Sequence, residues 1–256
     1  MKLKDKVAIV TGGGRGLGRE MALAFAEEGA NLVLVDLRKP DADAVAEEVR
    51  ALTRRALAIQ ADVRMEKQVI DFVEKTVAEF GKVDILVNNA GGFLGTINTL
   101  VEDLSLDKWR VVLDTNLTAA FICSKAVLKY MIKQNSGNII NITSGMGQRG
   151  RAGSSAYTAA KHGLEGLTKA MALEFAPFNI QVNALQPGGA VATPAVLNGP
   201  RIDAGTLLQP QIIREVAVYL ASDDSAGVTG QSFTAKLWNS DREDVRRLLS
   251  TKRKVS

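Results

Sequence analysis

Tyr157 and Lys161 stand four residues apart in a segment with helical patterning, so their side chains share one helix face. Ser144 closes an earlier apolar run, and Asn116 opens a helical segment before that. These four residue types suit one chemistry: the gain or loss of a proton at an alcohol or carbonyl oxygen. A tyrosine normally titrates at about 10 and needs help to exchange a proton near neutrality. A neighbouring ammonium stabilises the phenolate and lowers that value. A serine hydroxyl can hold the reacting oxygen, and an asparagine can anchor a water that relays the proton to solvent. Each residue alone has an ordinary reading: a packed helix tyrosine, a surface lysine, a strand-end serine, a capping asparagine. The weight lies in their order, each after the element expected to carry it.

A second constellation sits near the N-terminus. An apolar run ending at Val10 leads into Thr11-Gly12-Gly13-Gly14-Arg15-Gly16-Leu17-Gly18, and a helical pattern follows. The spacing is G-x-x-x-G-x-G, carried by Gly12, Gly16 and Gly18. Glycines permit a tight turn and close backbone approach to a pyrophosphate, and the helix start supplies free N–H groups. A glycine-rich turn alone is weak evidence, but its place between the first strand and a helix is the context a dinucleotide site requires. The second strand ends at Asp36, whose carboxylate can bind an adenosine ribose and would repel a 2′-phosphate. This favours NAD over NADP. Arg15 and Arg38 argue the other way, since either could pair with a phosphate. Asp62-Val63 follows the third strand, where adenine should lie, and Asn88-Asn89-Ala90-Gly91 ends the fourth on the crevice side.

The elements that must position these residues follow from the apolar pattern. Short runs at 6–10, 31–35, 56–59, 83–87, 138–142, 180–184 and 232–237 read as strands. Helical patterns fall at 16–28, 41–52, 66–80, 117–132, 157–175 and 212–221. Continuously apolar strands imply burial on both faces, and the alternation implies a doubly wound parallel α/β sheet with helices on both faces. No linker or repeat interrupts it. The expectation is one dinucleotide-binding catalytic domain over residues 1–240 and a basic C-terminal tail over 241–256.

Of 256 residues, 46% are hydrophobic and 23% charged, as in an ordinary globular domain. Cys123 is the single cysteine, so no intrachain disulfide is expected, and no cysteine–histidine cluster suggests a metal. No signal-peptide core and no apolar stretch long enough for a bilayer are read, so a cytoplasmic enzyme without membrane contact is expected. The net charge is +4, but residues 241–256 carry six basic and three acidic side chains, so most of the excess lies in the tail. No nucleic-acid partner is expected on that ground. His162, the one histidine, is turned about 100° from Lys161 around the helix and reads as packing or solvated.

Taken together, Thr11–Gly18, Asp36, Asp62, Asn88–Gly91, Asn116, Ser144, Tyr157, Lys161, Pro187-Gly188 and Thr193 resemble the short-chain dehydrogenase/reductase family. The resemblance implies a seven-stranded Rossmann sheet in the order 3-2-1-4-5-6-7. It implies a catalytic tetrad of Asn116, Ser144, Tyr157 and Lys161, with Lys161 also on the nicotinamide ribose. For the dinucleotide it implies Gly12, Arg15, Gly16, Leu17 and Gly18 at the phosphates, and Asp36 and Leu37 at the ribose. Asp62, Val63, Asn89, Ala90 and Gly91 would lie along the adenosine and the strand ends. Pro187, Gly188, Val191 and Thr193 would border the nicotinamide. Many members are tetramers built on two long helices, here beginning near Asn116 and Tyr157, so a homo-oligomer, dimer or tetramer, is expected.

Two departures stand out. The segment between Thr193 and the helix near Ile212 is short for the family's substrate lid. The usual ending of a strand with paired glycines is replaced by Ser232 to Asn239 and a charged, helix-like tail. The substrate pocket is expected between Gly92-Phe93-Leu94, Met146 to Arg151 and the segment after Pro187. There Arg149 or Arg151 would pair with a carboxylate or phosphate on a substrate or acyl carrier, or else stay solvated. The function expected is hydride transfer between NAD(H) and a small-molecule secondary alcohol or ketone, such as a polyol, sugar or cyclic alcohol. The alternative within the class is an NADPH-dependent reductase of 3-oxoacyl groups on a carrier. A dinucleotide-sensing or assembly protein is the alternative outside it, and a sensor has no need of Tyr157 and Lys161 together.

Overall fold

The computed structural model describes residues 1–197 and 204–240. Seven parallel strands are β1 (Val7–Thr11), β2 (Asn31–Asp36), β3 (Ala56–Gln60), β4 (Ile85–Asn88), β5 (Gly137–Ile142), β6 (Ile180–Gln186) and β7 (Ser232–Thr234). They form one sheet in the order β3-β2-β1-β4-β5-β6-β7, as the family resemblance implied. The helices are α1 (Gly16–Glu27), α2 (Lys39–Ala51), α3 (Glu66–Phe80), α4 (Leu106–Leu113), α5 (Ala119–Gln134) and α6 (Ser155–Phe175). After them come α7 (Pro194–Leu197), α8 (Arg214–Ala221) and α9 (Ala235–Ser240).

The alternation of side chains along each strand feeds two cores. Ala8, Val10, Leu32 and Leu34 point to one face, where α1, α2 and α8 cover them with Met21, Phe25, Val45 and Val216. Ile9, Val33 and Leu86 point to the other, beneath Phe72 of α3, Val127 and Met131 of α5 and Met171 of α6. Burial on both faces is why these strands read as unbroken apolar runs. The sheet reverses its winding between β1 and β4, and the open crevice at their carboxyl ends is where ligands bind in such folds.

Three local readings are corrected by the structure. The run 232–237 is strand only to Thr234, after which the chain turns into α9. Ala235 and Trp238 are buried at helical spacing while Leu237 is 60% exposed, a helix pattern inside a short apolar run. Trp238 stacks on Tyr219 at 4.7 Å between ring centroids, which fixes that turn. Asn116 does not open a helix. It lies in a π turn (Asp114–Thr118) that joins α4 to α5 in one continuous helical stretch. That stretch, Leu106–Gln134, is long and apolar enough to cross a bilayer, contrary to the sequence reading, yet half of its most apolar window is buried inside the fold. It is a core helix lying on the sheet. The tail expected over 241–256 lies outside the described residues, as does the 198–203 part of the short lid segment.

Candidate active site

The carboxyl ends of the strands open onto a single cleft of about 1550 Å³. It runs from the glycine turn after β1, past the ends of β2 and β3 on one side, to the ends of β5 and β6 on the other. Ser144, Tyr157 and Lys161 line it, as do the expected dinucleotide residues other than Gly18. Gly18 and Asn116 stand behind its walls.

Gly12 and Gly16 adopt φ of +61° and +54°, the left-handed region that glycine enters without strain. A Cβ on Gly18 would lie 2.1 Å from the Gly12 carbonyl oxygen, so Gly18 lets α1 pack against the turn and does not reach the cleft. A Cβ on Gly14 would lie 2.6 Å from that of Asp41. Thr11 and Asn89, at the ends of adjacent strands, lock the turn in place. The Thr11 hydroxyl accepts the N–H groups of Asn89 and Ala90 at 3.0 and 3.1 Å. The Asn89 amide donates to the carbonyls of Thr11 and Gly12 at 2.9 and 3.0 Å. The sequence reading named Thr11 only as the first residue of the glycine motif, with no role of its own. The available signal was a hydroxyl-bearing residue at the end of β1. No side chain caps the start of α1, so its first N–H groups remain available where Gly16 and Leu17 line the cleft. A rigid, glycine-demanding turn with an uncapped helix start fits a dinucleotide's pyrophosphate.

Asp36 ends β2 with its carboxylate held by the N–H groups of Gly14 and Arg38, at 3.1 and 3.0 Å. The two arginines weighed against it are both engaged elsewhere. Arg15 and Arg38 place their Nε atoms 3.0 and 3.3 Å from the same oxygen of Asp41. Sequence reasoning missed Asp41, whose position in the first turn of α2 was the available clue. At the β3 end, Asp62 receives Arg64 through both carboxylate oxygens, with Nη2 at 2.6 Å. That hydrogen bonding holds the Asp62 carboxyl below the usual carboxylate range.

At the other end, Ser144 follows β5 and its Oγ accepts the N–H of Met146 at 3.3 Å. Tyr157 is half-buried in the first turn of α6, with Phe93 stacked on its ring at 4.3 Å between centroids. Burial pushes its hydroxyl up to about 12, while a hydrogen bond with Ser144 pulls it the other way. Lys161 is 4% exposed and donates from Nζ to the Ile142 carbonyl at 2.8 Å. Its Nζ lies 5.5 Å from the centre of the Tyr157 ring. Burial brings its ammonium down to about 8. Asn116 spends its whole side chain on backbone. Nδ2 donates to the carbonyls of Gly92 and Val112, each at 2.9 Å, and Oδ1 accepts the Gly92 N–H at 2.9 Å. It therefore fixes the start of the Gly92–Phe93 loop over Tyr157. His162 is exposed, its Nδ1 within 2.9 Å of the Thr158 carbonyl.

Gly188, at φ +91°, allows β6 to pass Thr234, whose Cγ2 would lie 2.7 Å from an added Cβ. Val191 pairs with Leu208, and Thr193 packs against Gly16, closing the cleft's outer wall near the turn. Phe93, Leu94, Met146, Arg149 and Arg151 line the substrate end as the sequence suggested, together with Gln186, which it did not.

A family model described as short chain dehydrogenase matches residues 6–198. The 3-oxoacyl-(acyl-carrier-protein) reductase FabG of Thermotoga maritima is 36% identical over 90% of this chain and 96% of its own length. The cyclohexanol dehydrogenase of an Acinetobacter strain is 36% identical over 91% of this chain and 94% of its own. Among solved structures, carveol dehydrogenase from Mycobacterium avium in complex with NAD superposes with a TM-score of 0.86 at 30% identity, covering 91% of this chain and 96% of that one.

Proposed function

The chain belongs to the short-chain dehydrogenase family of oxidoreductases, and we propose that it moves a hydride between NAD(H) and a secondary alcohol or its ketone, with Tyr157 as acid and base. One observation carries this reading: a single cleft joins the glycine turn to Tyr157, with Lys161 buried beneath it. The cradle at Gly12 to Leu17 would hold the pyrophosphate and Asp36 the adenosine ribose. Pro187, Gly188, Val191 and Thr193 would border the nicotinamide. A bound nicotinamide supplies the hydride donor or acceptor and, when oxidised, a positive charge.

The chain's own residues do the rest. Ser144 holds the substrate oxygen, and the Tyr157 hydroxyl gives it a proton in reduction or takes one in oxidation. Lys161, protonated below about 8, favours the phenolate electrostatically. Asn116 positions the Gly92–Phe93 backbone that covers the tyrosine.

NAD is favoured by Asp36 and by the engagement of Arg15 and Arg38 with Asp41. The relative from Thermotoga maritima favours a second reading, a 3-oxoacyl reductase using NADPH. Nothing supports a non-catalytic sensor. We take residues 1–240 as one catalytic unit with a basic tail, working as a cytoplasmic homo-oligomer. Titration with NADH and NADPH, followed by fluorescence, tests the cofactor reading. NADH should bind the tighter, and Asp36→Ala should weaken it about 10-fold, the loss of ~1.4 kcal/mol. Preference for NADPH in the wild type would overturn the choice, and binding of neither would overturn the function.

A further inference from the structure

We infer that the substrate carries a carboxylate, recognised by Arg149 with Gln186 beside it; this rests on the proposed dehydrogenase reading and names the substrate class of that site. Acids are confined to one end of the cleft, where Arg15 and Arg64 also lie, each in an ion pair. Among the described residues lining it, the only carboxylates are Asp36 and Asp62, both on the β2–β3 side. The substrate side, beyond β5, holds Arg149, Arg151 and Lys161 and no acid. Neither Arg149 nor Arg151 forms an ion pair among the described residues, and both are exposed.

Arg149 is placed rather than dangling. Its N–H donates to the Gly145 carbonyl at 3.2 Å, closing the turn that Ser144 begins. Its Nη2 and Nε lie 3.7 and 3.8 Å from the point where a Cβ on Gly145 would stand. The guanidinium is therefore beside the residue next to Ser144. Oε1 of Gln186 approaches that same point to 3.4 Å. Gln186 is 4% exposed and lines the cleft. The Arg149 fork, with the Gln186 carbonyl oxygen on its own side of the Gly145 turn, suits the two oxygens of a carboxylate.

The position decides the class of molecule. Arg149 lies against the Ser144 turn, so its anion sits on the same small molecule as the reacting carbon. Phe93, Leu94, Ile97, Val111 and Met146 add apolar surface to that wall. The substrate fitted by this wall is a hydroxy or oxo acid with an alicyclic or aromatic body.

The test uses the full chain and non-reacting probes. NADH is titrated first, and cyclohexanecarboxylate and cyclohexanecarboxamide are then titrated into the NADH-loaded protein, following NADH fluorescence. The acid should bind at least 10-fold tighter than the amide, and Arg149→Met should bring the ratio close to one while NADH affinity holds. Arg149→Lys, which keeps the charge and loses the fork, should fall between, and Gln186→Leu gives a second reading should Arg149→Met fail to fold. A wild-type ratio near one, or a ratio untouched by Arg149→Met and Gln186→Leu, overturns the inference and leaves the dehydrogenase reading standing. Failure to bind NADH overturns that reading instead. Cyclohexyl phosphate replaces the acid in a final arm, and tighter binding of the phosphate would overturn the carboxylate assignment.

Discussion

Lys161 is a charge kept where charge is expensive. Its ammonium falls to about 8 in the fold, against 10.5 when exposed. Below 8 both folded and unfolded chains carry the proton, so the full cost of burying the ion opposes folding. Between 8 and 10.5 the unfolded chain holds the proton and the folded one does not, so that cost fades as pH rises. Its size is on the order of 3 kcal/mol, offset by about 1 kcal/mol for the bond to Ile142. Lys161→Met should therefore raise Tm at pH 7 by about 2–6 °C, with the gain shrinking toward pH 10 in a calorimetric series. The same substitution should lower kcat by roughly 100-fold or more. An inert packing lysine would give the stability change without the kinetic one. Tyr157 makes the complementary case. With its hydroxyl pushed up to about 12, the protein alone holds an acid at neutral pH. Oxidation, which needs the phenolate, should gain in kcat/KM as pH rises through about 7 to 10, and reduction should not.

At the level of elements, the sheet was legible because β1, β2 and β4 to β6 are buried on both faces and show as apolar runs with sharp ends. The site residues at strand ends, Asp36 and Ser144, were legible for the same reason. What escaped depends on partners distant in sequence. The stretch Leu106–Leu113 has an exposed Leu106 and only Ser105, accepting the Lys108 N–H at 3.3 Å, to mark its start. The π turn at Asn116 follows from an amide that reaches Gly92, 24 residues away, a contact no local pattern announces. Its consequence is testable. Asn116→Ala leaves the Gly92 N–H and carbonyl without their side-chain partner and should cost about 2–3 kcal/mol. It should lower kcat while NADH affinity changes less than about 3-fold, a loss of well under 1 kcal/mol. Equal losses in both would mean that Asn116 serves only the fold. Asp41 escaped for a similar reason, since its two arginines meet it only once α2 packs beside the glycine turn.

Across the whole molecule, α9 closes the fold by setting Trp238 against Tyr219 and Phe233, at the far edge of the sheet from β3. The aromatic run that read as a continuing strand is thus a plug for the β7 edge. Trp238→Ala should cost about 3–5 kcal/mol in urea unfolding, with NADH affinity per folded molecule unchanged; a cost under about 1 kcal/mol, the scale of a surface change, would mean the plug is dispensable. At the opposite edge, the contact of Asp41 with Arg15 and Arg38 has a meaning beyond binding. A cell keeps its two nicotinamide pools at different redox poise, one for harvesting electrons and one for spending them. An enzyme's metabolic direction follows from the pool it joins. On the NAD reading proposed above, that membership would rest on Asp36 and on Asp41 behind it, while the arginines suited to the other pool are already in place. A descendant lineage could change its metabolic allegiance with a pair of point mutations and keep every strand, core side chain and proton-transfer group it inherited.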